Sequence, residues 1–214
     1  MKSRLVKISV LLALTLMATV AANATVLVSD LGVFGSPNDV YERQFTYNPA
    51  TMGTQLIIQT FGYGGTGNMP GGTNASGIVI ASGGFDPIIA LYNGAVGGGG
   101  ALVNGNALDD DQPSSPYGAT PCGPGSGVAS PSCYDSRLVF NNLPAGTYTL
   151  AMSVFNNFPG ANENSPYAGG LVDFGSRTNH YAVDVVAIPE PVTAVLVGSG
   201  LLALGYALRR RQRS

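Results

Sequence analysis

A two-residue alternation marks the segment "GTYTLAMSVF" between Gly146 and Phe155. Its larger apolar residues are Tyr148, Leu150, Met152 and Val154, and small or polar residues stand between them. Successive side chains of an extended chain point to opposite faces, so this pattern predicts a half-buried β-strand. A strand of this kind needs a partner sheet to cover its apolar face.

The rest of the central region has the same character, and a helical period is nearly absent from it. Short runs rich in Val, Ile, Thr, Tyr and Phe alternate with Gly, Asn and Pro clusters, which predicts an all-β protein. Strands at such intervals favour an antiparallel β-sandwich, with a jelly-roll-like arrangement as the close variant. The predicted strands are Val26–Ser29, Tyr41–Tyr47, Gln55–Phe61, Gly77–Ala81, Ile88–Tyr92, Arg137–Phe140, Gly146–Phe155 and His180–Val186.

The first 24 residues predict a secretory signal peptide. Three basic residues precede the apolar run Ile8–Val20, and Ala22 and Ala24 occupy the two small positions of an A-x-A cleavage site. The alternative is a first transmembrane helix, but the run is shorter than the roughly 20 residues that cross a bilayer. We therefore expect signal peptidase to cut after Ala24.

The opposite end predicts a single transmembrane helix. Residues 192–208 carry no charge, and as a helix they extend roughly 25 Å, enough for a thin bilayer core. An arginine cluster follows directly, which places this end in the cytoplasm by the positive-inside rule. Its members are Arg209, Arg210, Arg211 and Arg213. The chain between the two ends is then exported across the inner membrane.

Pro189, Glu190 and Pro191 stand immediately before this helix. The prolines lack a backbone donor and fix φ, so they predict an extended stretch that a processing enzyme can read. The order of Pro-Glu-Pro, one apolar helix and an arginine cluster resembles the PEP-CTERM sorting signal of secreted Gram-negative proteins, and covers residues 188–214. The resemblance implies processing by an exosortase, a membrane Cys protease-transpeptidase, after transient insertion in the inner membrane. Permanent anchoring by the same helix is the alternative.

Removal of both ends leaves residues 25–187, a length typical of one domain. This part has three arginines and no lysine against eleven acidic residues, which gives a net charge of −8. Such a surface repels polyanions, so we expect no nucleic-acid partner. Divalent cations and neutral glycans remain compatible with it.

Cys122 and Cys133 enclose the short segment "CGPGSGVASPSC". An exported chain meets an oxidising compartment, so we expect a disulfide, worth about 3 kcal/mol for a loop of this order. A catalytic thiol or a metal pair is the alternative, but the spacing matches no zinc pattern.

Asp109, Asp110 and Asp111 form the densest group of hard oxygen ligands, and Asp86 could join them. Calcium takes six to eight oxygens, so these carboxylates are a candidate structural calcium site. A solvated acidic turn is the alternative, and no other cofactor is expected. If calcium binds, EDTA should lower the melting temperature; an unchanged curve, with no calcium in isothermal titration, would contradict the site.

Catalytic motifs find little support. "GYGGTG" matches G-x-G-x-x-G, but Asn68, Met69 and Pro70 follow where a dinucleotide site needs a helix, so a loop is expected. The sequence has neither a G-x-S-x-G elbow nor an H-E-x-x-H motif. His180 is the only histidine and is expected at a surface or strand edge. We therefore expect no enzyme. A hydrolase that uses two carboxylates at glycosidase spacing is the alternative.

The central segments "GGFDPIIALYNGAVG", "DDD" and "SRLVFNNLPAGTYTLAMSVFNNF" resemble an extracellular β-domain family found upstream of PEP-CTERM signals, and more distantly bacterial pre-peptidase C-terminal domains. The resemblance implies a jelly-roll-like sandwich without catalysis. The expected function is a non-catalytic envelope or extracellular protein associated with exopolysaccharide or biofilm. A matrix hydrolase and a permanently anchored surface binding protein are the alternatives. The long Gly-rich stretches Gly62–Gly77 and Asn93–Gly127 are the expected binding surface.

Overall fold

The computed structural model describes residues 24–62, 72–110, 134–169 and 173–189. Strands dominate this part of the chain, which confirms the predicted all-β class. Ala24–Ile188 is one compact unit. The predicted signal peptide, the sorting signal, Asp111 and both cysteines lie outside the described residues, apart from Ala24, Ile188 and Pro189.

Ten strands, one short helix and one 3-10 turn make up the described elements. The strands are β1 (Thr25–Val33), β2 (Tyr41–Tyr47), β3 (Gln55–Phe61), β4 (Gly72–Thr73), β5 (Val79–Ile80), β6 (Pro87–Asn93), β7 (Leu108–Asp109), β8 (Arg137–Asn141), β9 (Gly146–Val154) and β10 (His180–Ile188). The helix α1 spans Pro49–Met52, and the 3-10 turn spans Val103–Gly105. No helix among these residues is long and apolar enough to cross a membrane.

Eight of the strands form two antiparallel sheets. Sheet I has the order β1-β10-β3-β8, and sheet II has the order β2-β9-β6-β7. Strands β4 and β5 pair with each other as a separate hairpin. Both sheets therefore combine strands that are far apart in sequence, such as β1 with β10.

The inner faces of the two sheets share one hydrophobic core. Sheet I contributes Leu56, Ile58, Leu138, Val183 and Val185, and sheet II contributes Phe45, Leu91, Tyr148, Leu150 and Met152. All of these residues belong to a single cluster of buried side chains. Burial of this apolar surface is the main stabilising term, and it gives the described part a β-sandwich-like architecture.

Strand β9 differs from the prediction because both of its faces are buried. Thr149, Ala151 and Ser153 on its outer face are as inaccessible as the core residues between them. The segment after β9 reaches this face, since the Tyr92 hydroxyl donates to the Gly160 carbonyl at 2.9 Å. Alternation alone predicted a half-buried strand, and it could not reveal this third layer of loop.

The predicted strand bounds are close to those observed. Tyr41–Tyr47 and Gln55–Phe61 are the same in both, whereas β1 and β10 extend further than expected. The predicted strand Gly77–Ala81 is reduced to the two residues of β5. Strands β4 and β7 were not predicted, because two residues carry no readable period.

Candidate functional site

Ser136 contacts the chain beside two of the acidic residues that the sequence singled out, Asp86 and Asp110. The Ser136 hydroxyl donates to the Asp110 carbonyl at 2.8 Å and also to the Pro87 carbonyl, next to Asp86. The Ser136 N–H donates to the Thr60 hydroxyl at 2.7 Å. The structure thus brings the Phe-Asp-Pro segment, the residue after β7 and the start of β8 together through backbone carbonyls.

Asp109 has a structural contact of its own. It is 3 % exposed, and its Oδ2 accepts the N–H of Arg137 at 2.6 Å, which fastens β7 to β8. Within residues 24–62, 72–110, 134–169 and 173–189, no group of three or more acidic, His or Cys side chains is placed to hold a metal. Asp111 lies outside these ranges, so the calcium site stays a prediction.

Glu163 holds the Gly-rich loop after β6, and no sequence pattern predicted this contact. Its Oε1 accepts the Gly97 N–H at 2.6 Å, and its Oε2 accepts the Gly99 N–H at 2.7 Å. The side chain is nearly buried. A carboxylate that accepts two backbone N–H groups is well satisfied, so Glu163 orders the first part of the predicted binding surface.

Glu42 and two tyrosines share the electrostatic field of Glu163. Glu42 is largely exposed, and its partial desolvation, together with the negative charge of Glu163, raises its pKa. Burial, with a contribution from both carboxylates, raises the pKa of Tyr92 to about 12 and raises the pKa of Tyr167 further. In this group, two carboxylates in different environments act on each other.

A pocket of about 260 Å³ lies on the outer face of sheet I beside the β4–β5 hairpin, and we call it the hairpin pocket. Its polar lining consists of Gln59, Asn74, Arg137 and Asp184, with Thr73 at the rim. Its apolar lining consists of Ile57, Phe61 and Val186. A few polar groups among apolar walls are typical of a small-molecule site.

Register explains why these polar residues meet. Asp184 pairs with Gln59 between β10 and β3, and Gln59 pairs with Arg137 between β3 and β8. Ser29 on β1 pairs with Asp184, so a polar row crosses all four strands of sheet I. The hairpin lies over this row, since the Ala75 N–H donates to Asp184 Oδ2 at 2.6 Å.

Burial determines the ionisation of the two charged residues of the pocket. Burial raises the pKa of Asp184, and hydrogen bonds from the Ser29 hydroxyl and the Ala75 N–H act in the opposite direction. Burial also lowers the pKa of Arg137. The low-dielectric surroundings therefore make each of these groups harder to charge than it is in water.

No sequence pattern predicted the hairpin pocket. An acid inside the apolar run "HYAVDVVAI" was the available signal, because an isolated Asp in a central strand requires partners. The partners come from β1, β3 and the hairpin, which no local pattern connects. His180 is exposed, as expected, and it lines a separate apolar cavity of about 350 Å³ with Leu31, Val79 and Tyr181.

Comparison with known proteins assigns no family. No protein-family model matches the chain, and a search of the curated proteins finds no match. The sorting residues from Glu190 onward and the two cysteines lie outside the described residues. Function must therefore be argued from the sequence signals and the described β-unit.

Proposed function

We propose that the chain is an exported, non-catalytic envelope protein, sorted by a PEP-CTERM and exosortase system and associated with exopolysaccharide. The N-terminal basic and apolar run, with Ala22 and Ala24, supports export. Pro189, Glu190 and Pro191, followed by an uncharged run and four arginines, support recognition and removal of the C-terminal segment.

The strand order supports a jelly-roll-like sandwich, as in the extracellular β-domain family that the sequence resembles. Eight strands form two four-stranded sheets, and the chain alternates between them for most of its length. Two-sheet folds of this kind protect most strand edges and present loops at their ends. A binding or structural role fits this architecture, although the fold itself does not define a function.

The use of the buried carboxylates is the observation that carries the non-catalytic role. Asp109 fastens β7 to β8, and Glu163 fastens the Gly-rich loop, each through backbone N–H groups at 2.6 to 2.7 Å. Carboxylates committed in this way hold chain segments together and have little freedom to exchange protons with a substrate. Both residues therefore serve the fold.

Replacement of the Pro-Glu-Pro step tests the proposal. In a Gram-negative host with an exosortase, the wild-type protein should reach the outer envelope or the medium. The triple variant Pro189→Ala, Glu190→Ala, Pro191→Ala should stay in the inner membrane, because the processing enzyme no longer reads it. Ser199→Ala, within the uncharged run, is the matched control and should be sorted normally. Equal distribution of triple variant and wild type would contradict the proposal.

A matrix hydrolase is the second candidate, and the raised pKa of Glu42 is the observation in its favour. Glycosidases use a pair of carboxyl groups, one of which has a raised pKa, as Glu42 does. The test is reducing-end release from purified exopolysaccharide by wild type, Glu42→Gln and, as control, Asp173→Asn at an exposed turn. Turnover that depends on Glu42 would place this candidate first.

A further inference from the structure

The hairpin pocket contains buried amide groups that the fold leaves without partners. Gln59 is 8 % exposed and Asn74 is 4 % exposed. Neither Gln59 Nε2 nor Asn74 Nδ2 has a hydrogen-bond partner among the described residues. A buried donor without a partner is destabilising, so two of them at one pocket require an explanation.

The surrounding contacts hold both amides in place. The Asn74 Oδ1 accepts the Ile78 N–H at 2.8 Å, and the Gly77 N–H donates to the Asn74 carbonyl at 2.9 Å, which closes the hairpin turn. The Ala75 N–H then ties this turn to Asp184 at 2.6 Å. The hairpin thus fixes the Asn74 amide beside Gln59 at a wall of the same pocket.

We propose that the hairpin pocket binds one neutral sugar ring. Sugar hydroxyls both accept and donate hydrogen bonds, so they can accept from the Gln59 and Asn74 amides and donate to the Asp184 carboxylate. Ile57, Phe61 and Val186 supply apolar surface for the C–H groups of the ring. A volume of about 260 Å³ is slightly below that of drug-sized ligand sites, which suits a single ring.

The pocket is accessible to such a ligand. Its floor is buried at Gln59, Asn74 and Asp184, whereas Ile57 and Val186 are half-buried and Thr73 is exposed. A ring can therefore enter from solvent along the apolar lining, and it reaches the covered amide nitrogens by displacing the exposed hairpin residues beside them. Only the source of the sugar, exopolysaccharide, rests on the proposed function.

The test uses the purified full-length protein and three named probes: methyl β-glucopyranoside, methyl β-galactopyranoside and methyl α-mannopyranoside. Saturation-transfer NMR should show binding of at least one, with the strongest transfer at ring C–H protons, and isothermal titration should give its Kd. Gln59→Met should weaken that Kd at least about tenfold, since it removes one hydrogen-bond donor. The melting temperature without sugar should stay equal or rise, because the buried donor is gone.

Gln55→Met is the matched control. Gln55 lies on the same strand and face, but its Nε2 already donates to Asn141 Oδ1 at 3.0 Å, and it does not line the pocket. This variant should leave the Kd unchanged. Asn74→Asp is a second variant: it keeps the acceptor for the Ile78 N–H, replaces the donor with an oxygen, and should also lose binding.

Failure of all three probes to bind would overturn the pocket, and so would a Gln59→Met variant that binds as tightly as wild type. A lower melting temperature for Gln59→Met, together with absence of sugar binding, would assign the amide to the fold instead. Since these experiments use purified protein, they are independent of sorting in cells. Loss of the pocket would leave the proposed export standing, and a sorting failure would leave the pocket standing.

Discussion

Asp184 is a buried acidic residue on the outer face of sheet I. It stands in the middle of β10, a central strand of sheet I, and only 4 % of it is exposed. A buried carboxyl group needs hydrogen bonds, and β10 alone offers none to its side chain. The Ala75 N–H supplies one at 2.6 Å from the hairpin, and Ser29 on β1 lies opposite Asp184 in the strand register. Alternation predicts the face of Asp184, but the hairpin over it depends on tertiary structure.

The raised pKa of Asp184 predicts a pH-dependent stability. The folded protein binds this proton more tightly than the unfolded chain, so the contribution is complete below the ordinary value of 3.8. It is lost as the pH rises through the folded pKa, and the melting temperature should fall accordingly. Asp184→Asn should remove this component, as measured by thermal unfolding from pH 4 to pH 8.

Asp173→Asn is the control for this experiment, because it changes the net charge equally at an exposed turn. It keeps an Oδ1 acceptor for the Gly175 N–H, the contact that Asp173 makes. The pH dependence of this variant should match that of wild type. A pH profile of Asp184→Asn identical to that of wild type would show that Asp184 is not the titrating group.

At the scale of elements, the turn before β9 is held by its own tyrosine. The Tyr148 hydroxyl donates to the Pro144 carbonyl at 2.7 Å, four residues earlier. The alternation of β9 predicted that Tyr148 faces the core. The hydrogen bond shows that the same side chain also holds the turn that precedes the strand.

Tyr148→Phe should lower the free energy of unfolding by about 1 kcal/mol, because the Pro144 carbonyl loses its donor in a partly buried turn. Urea unfolding followed by circular dichroism measures the change. Tyr181→Phe is the control: Tyr181 contacts Phe34 and Tyr41 through its ring, so its variant should unfold almost as wild type does. Equal effects of the two substitutions would contradict the role given to the Tyr148 hydroxyl.

Glu163→Gln should lower the free energy of unfolding by about 1–3 kcal/mol, which is more than the effect of Tyr148→Phe. One amide oxygen cannot replace the two carboxylate oxygens that accept the Gly97 and Gly99 N–H groups. Removal of its charge should also bring the pKa of Glu42 down toward the ordinary value. Urea unfolding and an NMR titration of Glu42 measure the two effects.

Glu42→Gln serves as control for the stability effect, because Glu42 is exposed, and we expect little change. An unaltered free energy of unfolding in Glu163→Gln would show that Glu163 does not stabilise the Gly-rich loop. An unaltered Glu42 pKa would contradict the interaction between the two carboxylates.

For the molecule as a whole, period and composition predicted the β class but not the pairing of the strands. Gln55–Phe61 was predicted as a strand from its residues alone, yet its neighbours β10 and β8 are set by side-chain packing across the core. The same limit applies to the sites. Glu163 binds glycines, and Gln59 shares a pocket with residues, that are distant from them in sequence. The sorting residues differ, because their meaning lies in a contiguous order.

We propose that the N-terminal signal peptide and the C-terminal sorting signal deliver the β-unit outside the inner membrane and are then removed. Intact-mass and peptide mass spectrometry of the mature protein from a native-like Gram-negative host test this most directly. The mature chain should begin at Thr25 and lack the uncharged run and the arginine cluster. A mature protein that retains residues 201–214 would contradict removal and make the chain a permanently anchored surface protein.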